Sequence, residues 1–285
     1  MGAAASPPSR AHRGAGRELL GTLRRRSYLL VTVACVVAFF LVWNWLTSSG
    51  VLHRIVVPPP GRVIERSREI LGEPYFRRHL WVTVKEVVLG YTIGAGSGIV
   101  MALVSARFTS FRHLLQPYIV ALQSLPKVIL LPMIAIWVGG YGETSAMIIV
   151  VLVSFFPVYI NSLTGLLSAD ENGLKLLHSL GATPRQAFRM FRIPAALPLL
   201  FTGLKTAVNF SVVAAITAEL LGARYGLGFM LANSGTFLRI EDLYATVVVV
   251  SLFAGLVYAI FELADRKFIF WREDRNRFRS EERER

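Results

Sequence analysis

Four polar side chains stand within otherwise apolar runs, and they are the first candidates for chemistry. Lys127 follows Pro126, Lys205 and Asn209 stand four residues apart, and Glu219 closes the run that holds them. On insertion scales a charge at membrane depth costs about 2.5 to 3.5 kcal/mol, so each of these groups asks for a partner or for water. Lys205 and Asn209 share one helix face. Along a solute pathway, Pro126, Lys127, Lys205 and Asn209 would favour an anionic or carbonyl-rich solute. In the alternative, the two lysines snorkel or bond carbonyls freed by proline, and Asn209 joins neighbouring helices. Glu219 precedes Gly-Ala-Arg-Tyr-Gly-Leu-Gly-Phe and is expected to order that turn, with Gly226 and Gly228, rather than to touch solute. Lys85 and Glu86 open an apolar run and read as interfacial, while Glu262 and Asp265 read as partners for Arg266 and Lys267.

Other chemistries lack their residues. There is no H-E-x-x-H, no intramembrane aspartate pair and no G-x-S-x-G, so a membrane enzyme has no nucleophile or base set to work with. His12, His53, His79, His113 and His178 have no ligand spacing, and the lone Cys35 can form neither an intrachain disulfide nor a thiolate cluster. No metal and no cofactor is expected. Gly16 and Gly21 have the glycine spacing of a phosphate-cradling loop, but Thr22 stands where lysine is required, so the motif for holding ATP is not complete here. The net charge of +13 raises nucleic acid as a partner. Its segregation into tails and loops points to a lipid bilayer instead.

The elements that must position these residues are membrane helices. Of the 285 residues, 54% are hydrophobic, and crossing a bilayer takes roughly 20 apolar helical residues. Windows at Tyr28 to Thr47, Val84 to Val104, Leu114 to Val138, Thr144 to Leu166, Leu199 to Ala218 and Tyr244 to Ala264 come close to that length. The fold class is therefore all-α, a polytopic bundle of about six transmembrane helices. Most of the 31 lysines and arginines fall in the two tails and in the loops 105–113 and 167–198, which places both termini in the cytoplasm. Arginines between Arg54 and Arg78 weaken that asymmetry, and Glu65, Glu69 and Glu73 partly offset them. The expected organisation is a basic tail over 1–27, an uncleaved first span over 28–48, an external segment over 49–79, a core of five spans over 80–268 and a charged tail over 269–285. No internal repeat is visible.

Gly90, Gly94 and Gly98 recur every fourth residue, so one helix face lets a neighbour approach closely. Pro117, Pro126 and Pro132 interrupt the third span and Pro157 the fourth, leaving carbonyls that must find partners or line a cavity. The turn 139–143, rich in glycine, sets the third and fourth spans antiparallel. The loop 168–198 contains two helix-start signatures, Ser168 with Glu171 and Thr183 with Gln186. Pro184 takes the first helical position, Gly181 ends the first short helix and Pro194 the second. The apolar side of this helix, turn and helix wants a soluble partner's groove. Phe188 and Phe191 are the expected anchors, with Leu177, Arg185 and Arg189 beside them; in the alternative, the two phenylalanines pack against the protein's own membrane-proximal surface.

This loop resembles the cytoplasmic loop of bacterial ABC importer permeases, whose pattern is Glu-Ala-Ala, three residues, Gly, nine residues, then Ile-x-Leu-Pro. Gly181 matches the glycine, and Phe191, Ile193 and Pro194 match the end, but Lys175, Leu176 and Leu177 occupy the Glu-Ala-Ala positions. The similarity runs from about Pro58 to Trp271, through VVPPPGRVIERSREIL, SLPKVILLPMIAIWVGGYG, FFPVYINSLTGL, IPAALPLLFTGLKTAV and AELLGARYGLGFMLANSGTF. These segments are similar to the nitrate, sulfonate, taurine and pyrimidine-precursor branch. The resemblance implies a type I importer fold in the bacterial inner membrane, with two permease copies forming the pathway, an ATPase subunit docked on the cytoplasmic loop and an external solute-binding protein. In that setting Leu177, Gly181, Thr183, Pro184, Arg185, Phe188, Arg189, Phe191 and Pro194 couple to the ATPase. A secondary transporter or channel is the rival reading, and it would advertise intramembrane carboxylates or inverted repeats for ion coupling.

Overall fold

The structure, a computed structural model, describes residues 30–51 and 56–268. All regular structure among the described residues is helical. The chain divides into two units, residues 1–65 and 66–285. In the first, α1 (Leu30–Ser48) is long and apolar enough to span a bilayer, and its rings Phe39, Phe40 and Trp43 meet at 5.5 to 6.0 Å between centroids. The basic tail and Tyr28 lie outside the described residues. Helix α2 (Pro60–Gly72) starts on two prolines and crosses the boundary between the units.

The second unit is built on three long helices, α3 (Pro74–Arg107), α6 (Glu143–Leu167) and α9 (Ile193–Leu220), with α11 (Ile240–Phe268) packed against α9 and α10 (Leu227–Thr236). The expected glycine stripe makes the α3 to α6 contact. A Cβ at Gly90 would stand 2.7 Å from Val150, one at Gly94 would stand 2.5 Å from the Val151 carbonyl, and one at Gly98 would stand 2.9 Å from that of Phe155. Side-chain-free glycines let the two backbones touch where a bilayer offers no hydrophobic drive to bring helices together. Gly165 and Gly203 do the same for α6 against α9. The core around this junction includes Leu131, Ile149, Val150, Val212 and Ala215.

Three expectations are corrected. The third span is not one helix: α4 (Thr109–Ser124) and the segment Lys127–Val138, a 3-10 turn followed by α5 (Leu131–Val138), are bent by 89°. Pro126 alone causes the break, because the residue before a proline is driven out of the helical region, and Leu125 has ψ 135. Pro117 is accommodated inside α4, and Pro132 sits in the first turn of α5, where no amide is needed. Counting that bent pair as one span, the described helices give up to six.

The other two concern the loop 168–198. Pro194 does not end a helix: α8 (Pro184–Ala187), a π turn (Phe188–Arg192) and α9 run on continuously, and Pro194 lies in the first turn of α9. The π turn widens the backbone so that the Ile193 amide bonds the Phe188 carbonyl five residues back, just before the proline that has no amide to give. Nor does Ser168 start α7 (Glu171–Ser179). Its hydroxyl bonds the Gly165 carbonyl at the end of α6, and Asp170 caps α7 by accepting the Gly173 amide at 2.9 Å.

Candidate functional site

Two ends of the second unit carry polar machinery. At the end away from the loop, Glu219 is buried and accepts hydrogen bonds from the Thr83 hydroxyl at 2.5 Å and the Gly228 amide at 2.7 Å. The Thr83 hydroxyl in turn accepts the Leu227 amide at 2.9 Å, and His79 Nδ1 accepts the Gly226 amide, also at 2.9 Å. The turn 220–226 is thereby folded back and clamped to α3. Gly226 has φ +114, and a Cβ there or at Gly228 would collide with the Glu219 side chain. Glu219, Gly226 and Gly228 thus come together as expected from the sequence.

Sequence reasoning missed the partners of Glu219 on α3. The sequence reads His79 only as one of five histidines without ligand spacing and Glu86 as interfacial, yet both are fully buried. Glu86 lies beside Glu219, and neither of its oxygens has a donor in hydrogen-bonding geometry. Lys85, one residue earlier, is turned about 100° away around the helix and reaches out to Glu143 at 2.7 Å. The signal was the spacing His79, Thr83, Glu86, which is one face of a helix. On α2, Arg66 bonds Asp242 at 2.5 Å, Glu69 at 2.9 Å and Glu73 at 3.1 Å, and the Asp242 hydrogen bond holds its guanidinium above the ordinary arginine range.

Lys127 and Pro126 line a cavity of about 520 Å³ between the break in the third span, α6 and α9. The Lys127 ammonium donates to the Gln123 carbonyl at 3.0 Å and the Leu125 carbonyl at 3.4 Å, both left free by the break, and lies 4.7 Å from the centre of the Phe156 ring. Gln123, Asn161 and Thr206 add polar groups to a wall otherwise made of Val153, Ile160 and Phe210. Lys205 is not brought to this cavity. It bridges the Glu262 carboxylate, at 2.6 Å, and that of Asp265, tying α9 to α11. Asn209 is exposed and lines none of this space. The basic partners expected for Glu262 and Asp265 from the sequence, Arg266 and Lys267, have side chains outside the described residues.

At the loop end, Gly181 has φ +82, and its amide bonds the His178 carbonyl while the Ala182 amide bonds that of Leu177, both at 3.0 Å. This left-handed closure ends α7 and turns the chain into α8. Thr183 and Gln186 then form the expected reciprocal cap, with the Thr183 amide donating to Gln186 Oε1 at 2.8 Å, and Pro184 occupies the first turn. The rings are not the outward anchors but take the alternative place, packed on the protein itself. Phe191 packs on Gly173 of α7, and Phe188 is half-buried facing the end of α3. Left outward are Leu176, 61% exposed, Leu180, 75%, and Met190, 72%. Arg185 and Arg189 are exposed near them.

Residues 94–269 match the family described as "Binding-protein-dependent transport system inner membrane component". The chain is 28% identical over 250 residues to the formylaminopyrimidine transport permease protein ThiX of Halalkalibacterium halodurans, covering 87% of this chain and 99% of that one. It is 27% identical over 246 residues to the taurine transport system permease protein TauC of Escherichia coli, covering 85% and 89%. Its fold is similar to that of the MetNI methionine ABC transporter in an inward-facing conformation, with TM-score 0.59 at 18% identity, covering 68% of this chain and 95% of the other.

Proposed function

The chain belongs to the family of binding-protein-dependent transport system inner membrane components, and from that premise we propose that its 168–192 loop receives the stroke of a separate ATPase while the Lys127 cavity passes an anionic solute. It is a multi-pass permease subunit of an ATP-driven importer, not a secondary transporter or channel. The observation that supports the coupling role is the loop's geometry. Two capped helices, joined rigidly to long membrane helices, expose Leu176, Leu180 and Met190 with no covering side chain among the described residues. Large apolar anchors ringed by charge are how a soluble subunit's groove is filled, and Arg185 and Arg189 supply the ring. Phe188, Phe191 and Leu177 keep the loop's shape, and the continuous helix through the π turn and Pro194 carries its displacement toward the clamped turn at Glu219.

The partners are an ABC ATPase, an external solute-binding protein and a second copy of this permease, with both termini in the cytoplasm. The solute is a small anion, a sulfonate or taurine ahead of nitrate, or else a pyrimidine precursor. The ammonium of Lys127 against an apolar wall suits a charged head on a short carbon chain, and the name of the taurine relative points the same way, whereas that of the formylaminopyrimidine relative points to the alternative. The cognate binding protein, purified and screened by calorimetry against taurine, alkanesulfonates, nitrate and formylaminopyrimidine, tests this choice. Tight binding of a sulfonate supports it, and tight binding of the uncharged pyrimidine alone rejects it.

A further inference from the structure

The loop end of the bundle holds a second cavity, of about 1180 Å³, that lies apart from the Lys127 space. Leu103 and Ala106, in the last turns of α3, and Phe188 form its apolar side, and Arg107, Arg185 and Arg192 stand around it. No aspartate or glutamate lines it, and among the described residues none of those arginines has a carboxylate within ion-pair distance. Three guanidinium groups around one space repel one another, and an anion between them removes that cost while accepting paired N–H donors. The polarity is also graded. Leu103 and Ala106 lie near the end of a helix long and apolar enough to span a bilayer and Arg107 closes that helix, an order that matches acyl chain followed by phosphate.

We propose that this groove holds the headgroup of an anionic phospholipid from the leaflet on the loop side. The other occupant to weigh is the ATPase, but the apolar anchors that the loop exposes for a soluble partner, Leu176, Leu180 and Met190, are not in the lining, and of the charged ring around them only Arg185 reaches it. Assigning the leaflet to the cytoplasm rests on the coupling role given to this loop. The chemistry of the groove does not. A bound lipid would brace the coupling helices against α3, so that lipid composition sets how stiffly the loop transmits motion.

The full chain in nanodiscs of phosphatidylcholine, with rising fractions of phosphatidylglycerol, provides the test, read as the midpoint of thermal unfolding. The midpoint should rise and saturate with phosphatidylglycerol. The fraction giving half the effect should increase about fivefold in Arg107→Gln and in Arg192→Gln, the factor expected for one basic residue near an anionic surface. Arg107→Lys, which keeps the charge but not the paired donors, should fall between the parent and Arg107→Gln, and Arg68→Gln, on α2 outside the groove, should stay near the parent. Glycerol 3-phosphate added to pure phosphatidylcholine discs should not reproduce the rise; if it does, the site takes a free anion and the lipid assignment falls. Unchanged phosphatidylglycerol dependence in both glutamine variants overturns the proposal. So does loss of ATPase capture in those variants with the lipid response intact, which would give the groove to the ATPase without touching the coupling role of the loop.

Discussion

At Lys127 the ammonium meets two carbonyls freed by the Pro126 break and the face of Phe156, while the space beside it stays open. Replacing it with methionine keeps most of the stem's packing and removes the charge. Lys127→Met should lower uptake of an anionic solute by roughly tenfold, the worth of one charge-assisted hydrogen bond, with membrane levels and ATPase capture unchanged; normal uptake kinetics would make Lys127 a purely structural cation. Lys205, held between Glu262 and Asp265, belongs to the joint between α9 and α11, so Lys205→Met should instead lower the thermal midpoint. A third residue stores strain. Leu238 has φ +54, a left-handed conformation that a leucine resists, and its side chain is exposed. Leu238→Gly should stabilise the protein by roughly 0.5 to 1 kcal/mol after the added freedom of the unfolded chain is deducted. A fall in the thermal midpoint would show that the leucine side chain holds something that its exposure conceals.

At the scale of elements, Gly181 shapes the α7 to α8 corner through its backbone and not through packing of its own, since a Cβ there meets nothing within 4 Å, while Phe191 on Gly173 packs the two arms together. Gly181→Val therefore acts through φ alone, costing about 1 to 2 kcal/mol of left-handed strain and changing the angle between the two helices. The expected outcome is a protein at normal membrane levels whose ATPase is no longer stimulated by loaded binding protein; unchanged stimulation would remove the corner from the coupling path. Leu176→Ser with Leu180→Ser should abolish ATPase capture in a pull-down, because each removes an apolar anchor worth about 1.5 to 3 kcal/mol when buried. Phe188→Ala should leave capture measurable and lower thermal stability instead. Loss of capture in Phe188→Ala but not in the leucine pair would reverse the assignment of anchor and support.

For the whole molecule, the proposed orientation with both tails cytoplasmic rests on the asymmetry of lysine and arginine, and it predicts that a reporter fused after Arg275 is active only in the cytoplasm. How much of this was legible in the sequence depended on whether a feature is local. The Gly90, Gly94 and Gly98 stripe, the left-handed Gly181 and the Thr183 to Gln186 cap are set within a turn or two of helix, and the structure has them as read. The bonding of Glu219 by Thr83 and of Gly226 by His79, the pairing of Lys205 with Asp265, and the inward turn of Phe188 and Phe191 join residues far apart in the chain, and no periodicity reports such meetings. Pro194 misled for a different reason: a proline stops a helix by its missing amide, and a π turn placed just before it removes the need for that amide. The central claim is that this chain is a passive pathway driven through its 168–192 loop. Uptake of binding-protein-delivered solute into proteoliposomes, with ATP and the ATPase on the loop side, tests it most directly. Uptake should require ATP hydrolysis and both partners, and should vanish in Leu176→Ser with Leu180→Ser while that variant still inserts. Uptake by the chain alone, driven by an ion gradient, or undiminished uptake in the leucine variant, would contradict it.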